Sequence, residues 1–353
     1  MSLVIGQKLL LSLTRSGTVF FCRKNMMADR LDSIRSTLLS VWRVRLFALV
    51  FLLLPFHAAC LKGIIEPTRI LSTDSSTYLV VAKPPAVACH RSDYIGRKAP
   101  DGTPEPPAMV QRIRDQVGRR VNLIHRLDRG ASGCLLLAFA GDSRGEDEDG
   151  KDGEGGGEDS AERYRDTTRR LIASLADDRA VKTYVALVRG GPFLHGEDLR
   201  RRGWFAVDRP IRDARGVERE ALTQFRFVAG TDDDCAARAS IVLARPRTGR
   251  WHQIRRHLNG LSHPILGDST HGNSRINREW RSKRGLPGQR LCLHLAKMSL
   301  PSLENSETAG LEVACEIPDD MMGLLRTWMP TVLEEARIVM EEEGILVPPS
   351  FDD

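Results

Sequence analysis

Seven residues that must be buried, Cys134–Ala140 (CLLLAFA), run directly into twenty-six that cannot be, 141–166 (GDSRGEDEDGKDGEGGGEDSAERYRD). The apolar run contains no charge and no turn former, so it reads as a strand of a protein interior. The segment behind it holds eleven acids, four bases and a glycine-rich middle. It has too little apolar surface to offset the entropy of ordering it. The core must therefore be assembled from sequence on both sides of a solvated insertion, which lies between two strands or between a strand and a helix. The acids of the insertion lack the DxDxDG spacing of a calcium loop. Solvation, not metal binding, is their expected role.

Charge follows the same division. The insertion is net −7, residues 1–63 are net +7 (nine Lys/Arg against two Asp/Glu), and the total is +6, which leaves the rest of the body at +6. A basic body fits a polyanionic partner such as RNA, although mild basicity is common. The seven cysteines are scattered without a CxxC pair, so zinc-ribbon and thioredoxin-like motifs find no support. They read as reduced, packed thiols.

The first 28 residues contain no acid and carry Lys8, Arg15, Arg23 and Lys24 among serines and apolar residues, the composition of an organelle transit peptide. Arg43 and Arg45 then precede an apolar run at 46–54, followed by Pro55, Ala58 and Ala59, which resembles a displaced secretory signal. The run is short of the roughly 20 residues a membrane span needs, so no stable membrane insertion of the body that follows is expected. A start at Met26 or Met27 is the competing reading. A mitochondrion or plastid is the expected destination, with cytoplasm or nucleus as alternatives.

The globular body is expected over residues 66–345 as a single domain. Ile70–Leu71 and Tyr78–Ala82 read as a strand pair closed by Pro84–Pro85, and Ala108–Val117 as a helix. Thr167–Ala176 reads as a second helix. Thr183–Val188, Ala221–Val228 and Ser240–Ala244 read as further strands. The turn at 245–249 leads into a short helix, Trp251–Asn259, capped by Gly260, with Ile254, Leu258 and Leu261 on its buried face. Gly323–Glu343 reads as one amphipathic helix. Short strands mixed with few helices give an α+β class around a mixed, largely antiparallel sheet.

The chemistry concentrates in Ile124-His125-Arg126-Leu127-Asp128-Arg129-Gly130-Ala131-Ser132-Gly133, a loop feeding the apolar strand. A carboxylate between two arginines stays ionised and available as a nucleophile. On spacing alone an exposed ion pair ahead of a strand is the preferred reading. The sequence offers no GxGxxG, Walker loop or HExxH.

HRLDRGASGCLLLA closely resembles the HRLDxxTSG-LLLA signature of the RluA-type pseudouridine synthases. Three more blocks follow the order of that family: YLVVAKPP with His90-Arg91-Ser92, Lys182–Ala186 as its KxYxA element, and Arg245–Asp268 as its TGRxHQIRxHL…HPIxGD element. Leu291–Ala296 resembles the closing LHA stretch. His90–Ser92 and 271–278 (HGNSRINR) resemble the branch containing tRNA pseudouridine synthase C. The resemblance spans about residues 68–301. It implies a pseudouridine-synthase-like catalytic domain that isomerises uridine in structured RNA, transfer RNA first and ribosomal RNA second, with no cofactor, no metal and no obligatory protein partner. It further implies that Asp128 is the catalytic carboxylate, attacking either the uracil ring or the ribose. Tyr184 would lie against the uracil and assist proton removal from C5, and Arg255 would pair with Asp128. Arg126 would push into the base stack as the target flips out, and Leu293 would line the pocket. His125, His252 and Arg250 complete the expected substrate-binding set. For His252 a structural hydrogen bond that orients the loop is the preferred role. Trp251 stacks on a base or packs into the fold, the latter being commoner. The basic groups Arg245/Arg247/Arg250 and Arg275/Arg278/Arg281/Lys283/Arg284 read as loop residues contacting phosphates. Ala131 in place of the family threonine, and Leu295 within the LHA stretch, depart from the pattern.

Two other readings compete. One is a non-catalytic RNA-binding protein of the same fold. The other is a metal-dependent hydrolase using some of the nine histidines, whose spacings match no ligand pattern.

Overall fold

The computed structural model describes residues 66–91, 106–140, 157–231, 238–302 and 310–349. The expected targeting region 1–63 with its apolar run, Ser92 and the stretch 141–156 of the insertion lie outside them. Residues 67–353 form one compact unit.

Among the described residues the strands are, in chain order, β1 (Ile70–Asp74), β2 (Tyr78–Lys83), β3 (Val121–Leu123), β4 (Ser132–Phe139), β5 (Val181–Arg189), β6 (Phe193–Leu194), β7 (Glu197–Asp198), β8 (Phe205–Asp208), β9 (Ile211–Arg212), β10 (Glu218–Arg219), β11 (Leu222–Gly230), β12 (Ala239–Pro246), β13 (Leu293–Leu300) and β14 (Leu311–Ala314). The helices are α1 (Met109–Val117), α2 (Gly157–Ala176), α3 (Gln253–Gly260), α4 (Ser274–Arg284), α5 (Asp319–Trp328) and α6 (Pro330–Glu342).

Ten strands form one sheet in the order β1-β2-β4-β13-β5-β12-β11-β8, with β3 beside β4 and β14 beside β13. The apolar run became β4, and every one of its residues is buried. Among the described residues its pairing with β13, His294 opposite Ser132, is the parallel one in an otherwise antiparallel sheet. The α+β class and the mixed sheet are thus as expected. The parallel pair forces the β4 and β13 backbones together at Gly133, which has φ 118°. A Cβ there would lie 2.3 Å from the Leu295 carbonyl oxygen. Leu295, the departure from the family pattern, is therefore a packing residue set directly against that glycine.

Four expectations are corrected. The helix expected from Thr167 begins at Gly157, so the tail of the 141–166 segment is helical. Tyr164 packs against the core and Arg170 pairs with Asp166 one turn away at 2.8 Å, which anchors the added turns. The single helix expected over Gly323–Glu343 is two, α5 and α6. Pro330 cannot donate to the helix and drives Met329 to φ −144°, ψ 50°. Gly260 ends inside α3, which is capped by Leu261. The arginines from 275 to 284 sit on the helix α4, not in a loop. Its Asn273 N-cap accepts from the Arg275 and Ile276 amides, and buried Trp280 faces the core.

Helix α6 docks on the sheet through Glu343, one residue beyond its end. Glu343 accepts from Trp204 Nε1 at 3.0 Å and Arg226 at 2.9 Å and also pairs with Arg245. Arg245 lies over the Trp204 ring at 4.2 Å and donates to Thr183 at 3.0 Å. It is thus a structural residue and not the loop phosphate contact expected. Among the described residues no helix is long and apolar enough to cross a membrane.

Gly133→Ala is expected to cost about 3 kcal/mol or more, because the added methyl meets backbone on both sides and the φ disfavours any side chain. Urea denaturation of the purified variant measures it, and a change under about 1 kcal/mol contradicts the close approach.

Candidate active site

The loop between β3 and β4 is held from below by buried cations. Lys83 Nζ donates to the carbonyls of Pro84 (2.9 Å), Arg129 (3.1 Å) and Ala131 (2.7 Å). Burial pushes its ammonium down to about 8. Fully buried Arg290 donates to the Gly130 carbonyl at 3.1 Å and to Ser132 Oγ at 2.9 Å, and Ser132 Oγ is also bonded to His294 Nδ1 at 2.9 Å. On the other flank, His125 Nε2 accepts the Leu136 amide at 3.1 Å. Burial holds this imidazole neutral, its pKa down to about 4, so it fixes the loop to β4 while also lining the cleft. With both shoulders strapped, Asp128 projects with its side chain 30% exposed.

A second segment meets it from the turn before α3. Gln253 is buried and ties that turn together. Its Oε1 accepts from Thr248 Oγ1 (2.7 Å) and the Arg250 amide (3.0 Å), and its Nε2 donates to the Leu222 carbonyl (3.0 Å) and Thr223 Oγ1 (2.9 Å). His252 at the helix entrance has φ 55°, a left-handed conformation uncommon for a histidine. Arg255 follows on the first turn and uses its whole guanidinium. NH1 donates to Asp128 Oδ2 at 2.9 Å, while Nε and NH2 grip Asp268 Oδ2 and Oδ1 at 2.8 and 2.7 Å. This is the fork geometry that suits arginine to carboxylates.

Asp268 was not singled out in the sequence, although it closes the HPILGD block that was. Burial would raise its carboxyl pKa, but Arg255 and the backbone amides of His271 and Thr270 hold it below the ordinary value. For Arg255, burial disfavours the charge, but the two carboxylates outweigh it and raise the guanidinium above its usual range. The expected Asp128–Arg255 pair is present, and it is half of an Asp–Arg–Asp bridge.

The third wall comes from adjoining strands. Tyr184 on β5 pairs with Leu295 on β13, and Leu293 lies two residues before it on β13. Burial first, then the charge of Asp128, pushes the Tyr184 phenol well above its usual value. All eight residues singled out in the sequence (Asp128, Tyr184, Arg255, Arg126, His125, Leu293, His252 and Arg250) line one hollow of about 450 Å³. A second hollow of about 480 Å³ opens on the other side of Asp128, between His90, Asp268, Arg281 and Gln289. His252 Nε2 sits 3.8 Å from Asp128 Oδ1, and its Nδ1 shares a hydrogen bond with His271 Nε2 at 3.0 Å. Its pKa is lowered to about 4, burial outweighing the nearby Asp128. Trp251 is neither buried nor packed into the core, the commoner case. It is 62% exposed and stacked on His252.

Asp268→Asn is expected to cost about 3 kcal/mol at pH 7, since it breaks the two-pronged side of a buried pair. Because the native Asp268 pKa is depressed, the ionised form stabilises the fold above the unfolded pKa of about 3.9. That contribution disappears as pH falls through the native value. The stability gap between wild type and variant, measured by urea unfolding from pH 7 to pH 3, is expected to narrow only at the acidic end. A gap independent of pH contradicts the linkage.

The profile of a family, RNA pseudouridylate synthase, matches residues 77–146, the stretch from β2 through the Asp128 loop. A "tRNA pseudouridine synthase C" from Salmonella typhi is 32% identical over 271 residues, 72% of this chain and 85% of that protein. Another of the same name, from Pectobacterium carotovorum subsp. carotovorum, is 29% identical over 68% of this chain, which spans 57% of its length. The solved structure of Human RNA Pseudouridylate Synthase Domain Containing 1 aligns with 81% of this chain and 99% of its own, at 22% identity and a TM-score of 0.47. Because the Salmonella typhi protein is 32% identical and covered over 85% of its length, the chain belongs to the RNA pseudouridylate synthase family, enzymes that isomerise uridine in RNA.

Proposed function

We propose that this chain converts uridine to pseudouridine in structured RNA, transfer RNA first and ribosomal RNA second, with Asp128 as the nucleophile. The observation that carries the reading is a partly exposed carboxylate held by Arg255 in a hollow that Tyr184 and Leu293 also line. The names of the relatives, tRNA pseudouridine synthase C, favour transfer RNA.

The reaction is an isomerisation. The bond from uracil N1 to ribose C1′ breaks, the base turns, and a bond from C5 to C1′ forms. The proton on C5 leaves and N1 gains one. Atoms and electrons balance with no co-reactant. Asp128 supplies the attack, at the ring or at the ribose, and Arg255 keeps its carboxylate oriented while Asp268 keeps Arg255 in place. Leu293 and Tyr184 give the uracil an apolar slot. While Asp128 is ionised, burial and its charge both keep the Tyr184 phenol protonated. Once Asp128 is consumed in a covalent adduct, the second of these effects vanishes, the phenol gives up its own proton to water more readily, and the resulting phenolate oxygen takes the proton that leaves C5. Exposed Arg126 stands at the mouth of the hollow, where a flipped-out nucleotide leaves a gap in the stack. Arg250, whose Nε donates to the Glu220 carbonyl, places the rest of its guanidinium beside it for phosphate.

Two variants test the assignment. Asp128→Asn is expected to abolish pseudouridine in nuclease digests of treated RNA, read by mass spectrometry, while filter retention of that RNA stays near wild type. Tyr184→Phe is expected to lower kcat about a hundredfold or more. Undiminished product from Asp128→Asn would remove Asp128 from the role of nucleophile, and no product from the wild type either would leave a non-catalytic RNA-binding role as the better account.

A further inference from the structure

Trp251 stands out among the aromatic side chains. At 62% exposure it is the most open large aromatic among the described residues, ahead of Trp328 at 39% and Phe193 at 37%. Exposed single apolar residues need no special account, but this one is fixed in a particular place. One face stacks on His252, with centroids 3.7 Å apart and planes 20° apart, and the His271 ring meets it edge-on at 6.1 Å. His252 is in turn pinned by its hydrogen bond to His271 and by the left-handed backbone at the start of α3. An indole with one face covered that still keeps most of its surface in solvent presents its other face outward. That face lies on the shared rim of the two hollows beside Asp128, both of which Trp251 lines.

We propose that Trp251 is a stacking platform for the base of the nucleotide next to the target uridine, a reading that rests on the function proposed above. The hollow with Tyr184 and Leu293 takes the flipped uracil. The second hollow, of about 480 Å³, is of ligand size and takes the neighbouring nucleotide. Its lining suits that occupant. Arg126 on the rim and Arg281 from α4 offer positive charge to the connecting phosphate, and α4 presents Arg275, Arg278 and Lys283 to solvent beyond it. His252 and Trp251 form two layers of a stack that lacks a third. A base completes it, and stacking on an aromatic ring tolerates any base, because each has a π-face. The recognised feature is an unpaired, splayed-out nucleotide beside the uridine.

Full-length Trp251→Leu and Trp251→Phe, with folding checked by thermal melting, are assayed for pseudouridine formation on an unmodified transfer RNA pool made by transcription. Leucine keeps apolar bulk without a ring, whereas phenylalanine keeps the ring. The leucine variant is expected to raise KM about 5- to 150-fold with kcat nearly unchanged, and phenylalanine to recover most of the loss. In the Asp128→Asn background, quenching of tryptophan fluorescence by the same RNA pool is expected to shrink when Trp251 is replaced by Phe. An unchanged KM for Trp251→Leu, equal damage from leucine and phenylalanine, or a fall in kcat alone overturns the platform. The last of these would make Trp251 a positioning residue for His252. A wild-type enzyme that forms no product on any RNA defeats the proposed function instead, and the quenching comparison still decides whether a base stacks on Trp251.

Discussion

The site depends on a single guanidinium that serves two carboxylates. Arg255 is planar, so once Nε and NH2 are locked on Asp268 the direction of NH1, and with it the position of Asp128, is set. The two acids are treated unequally. Asp268 is buried and accepts four hydrogen bonds from Arg255, Thr270 and His271, which absorb its charge. Asp128 takes one bond from Arg255 and keeps the rest of its carboxylate toward the cleft. An anion that is held but not saturated can still react. Asp268 is fixed a second time through its main chain, because Asn277 on α4 donates to its carbonyl at 2.8 Å and accepts the Gly267 amide at 3.0 Å. The basic helix and the Asp128 carboxylate are thus joined by a short run of polar contacts.

Burying Lys83, Arg290 and Arg255 around one loop would be costly if any of them lacked partners. Each is used as a multi-pronged donor to backbone carbonyls or carboxylates, so the loop is stiffened by bonds that the sheet alone does not provide. Stiffness has a chemical purpose here. A nucleophile misplaced by an ångström loses much of its advantage, and a loop between two strands is ordinarily the freest part of a fold.

The legible parts of the sequence were those with a local signature. Cys134–Ala140 could only be an interior strand, and β1, β2, β5, β11 and β12 showed themselves as short runs rich in β-branched and apolar residues. Asp128, Tyr184 and Arg255 were readable because each sits in a motif whose order along the chain matched a known family. Where a local rule was misjudged, a nearby residue accounts for it. Pro330 divides what periodicity alone joined, and the charged stretch after Gly157 is helical because Tyr164 finds the core. Helix α4 was missed because its arginines mask a buried face made of only Asn277, Trp280 and part of Ile276.

By itself the sequence determined that an α+β body would form around the 134–140 strand, that a carboxylate would stand in the loop before it, and which side chains would gather there. It did so because burial patterns and turn chemistry act over a few residues, and because motif order survives without coordinates. Only the tertiary structure decided that Asp268 would share Arg255 with Asp128, that Arg245 would hold α6 instead of phosphate, and that Trp251 would stand open on the rim. Those outcomes depend on which distant segments meet: residues 128, 255 and 268 converge through the parallel β4–β13 pairing and the turn before α3. A lone aspartate, arginine or tryptophan carries no mark of the partner that folding will bring to it.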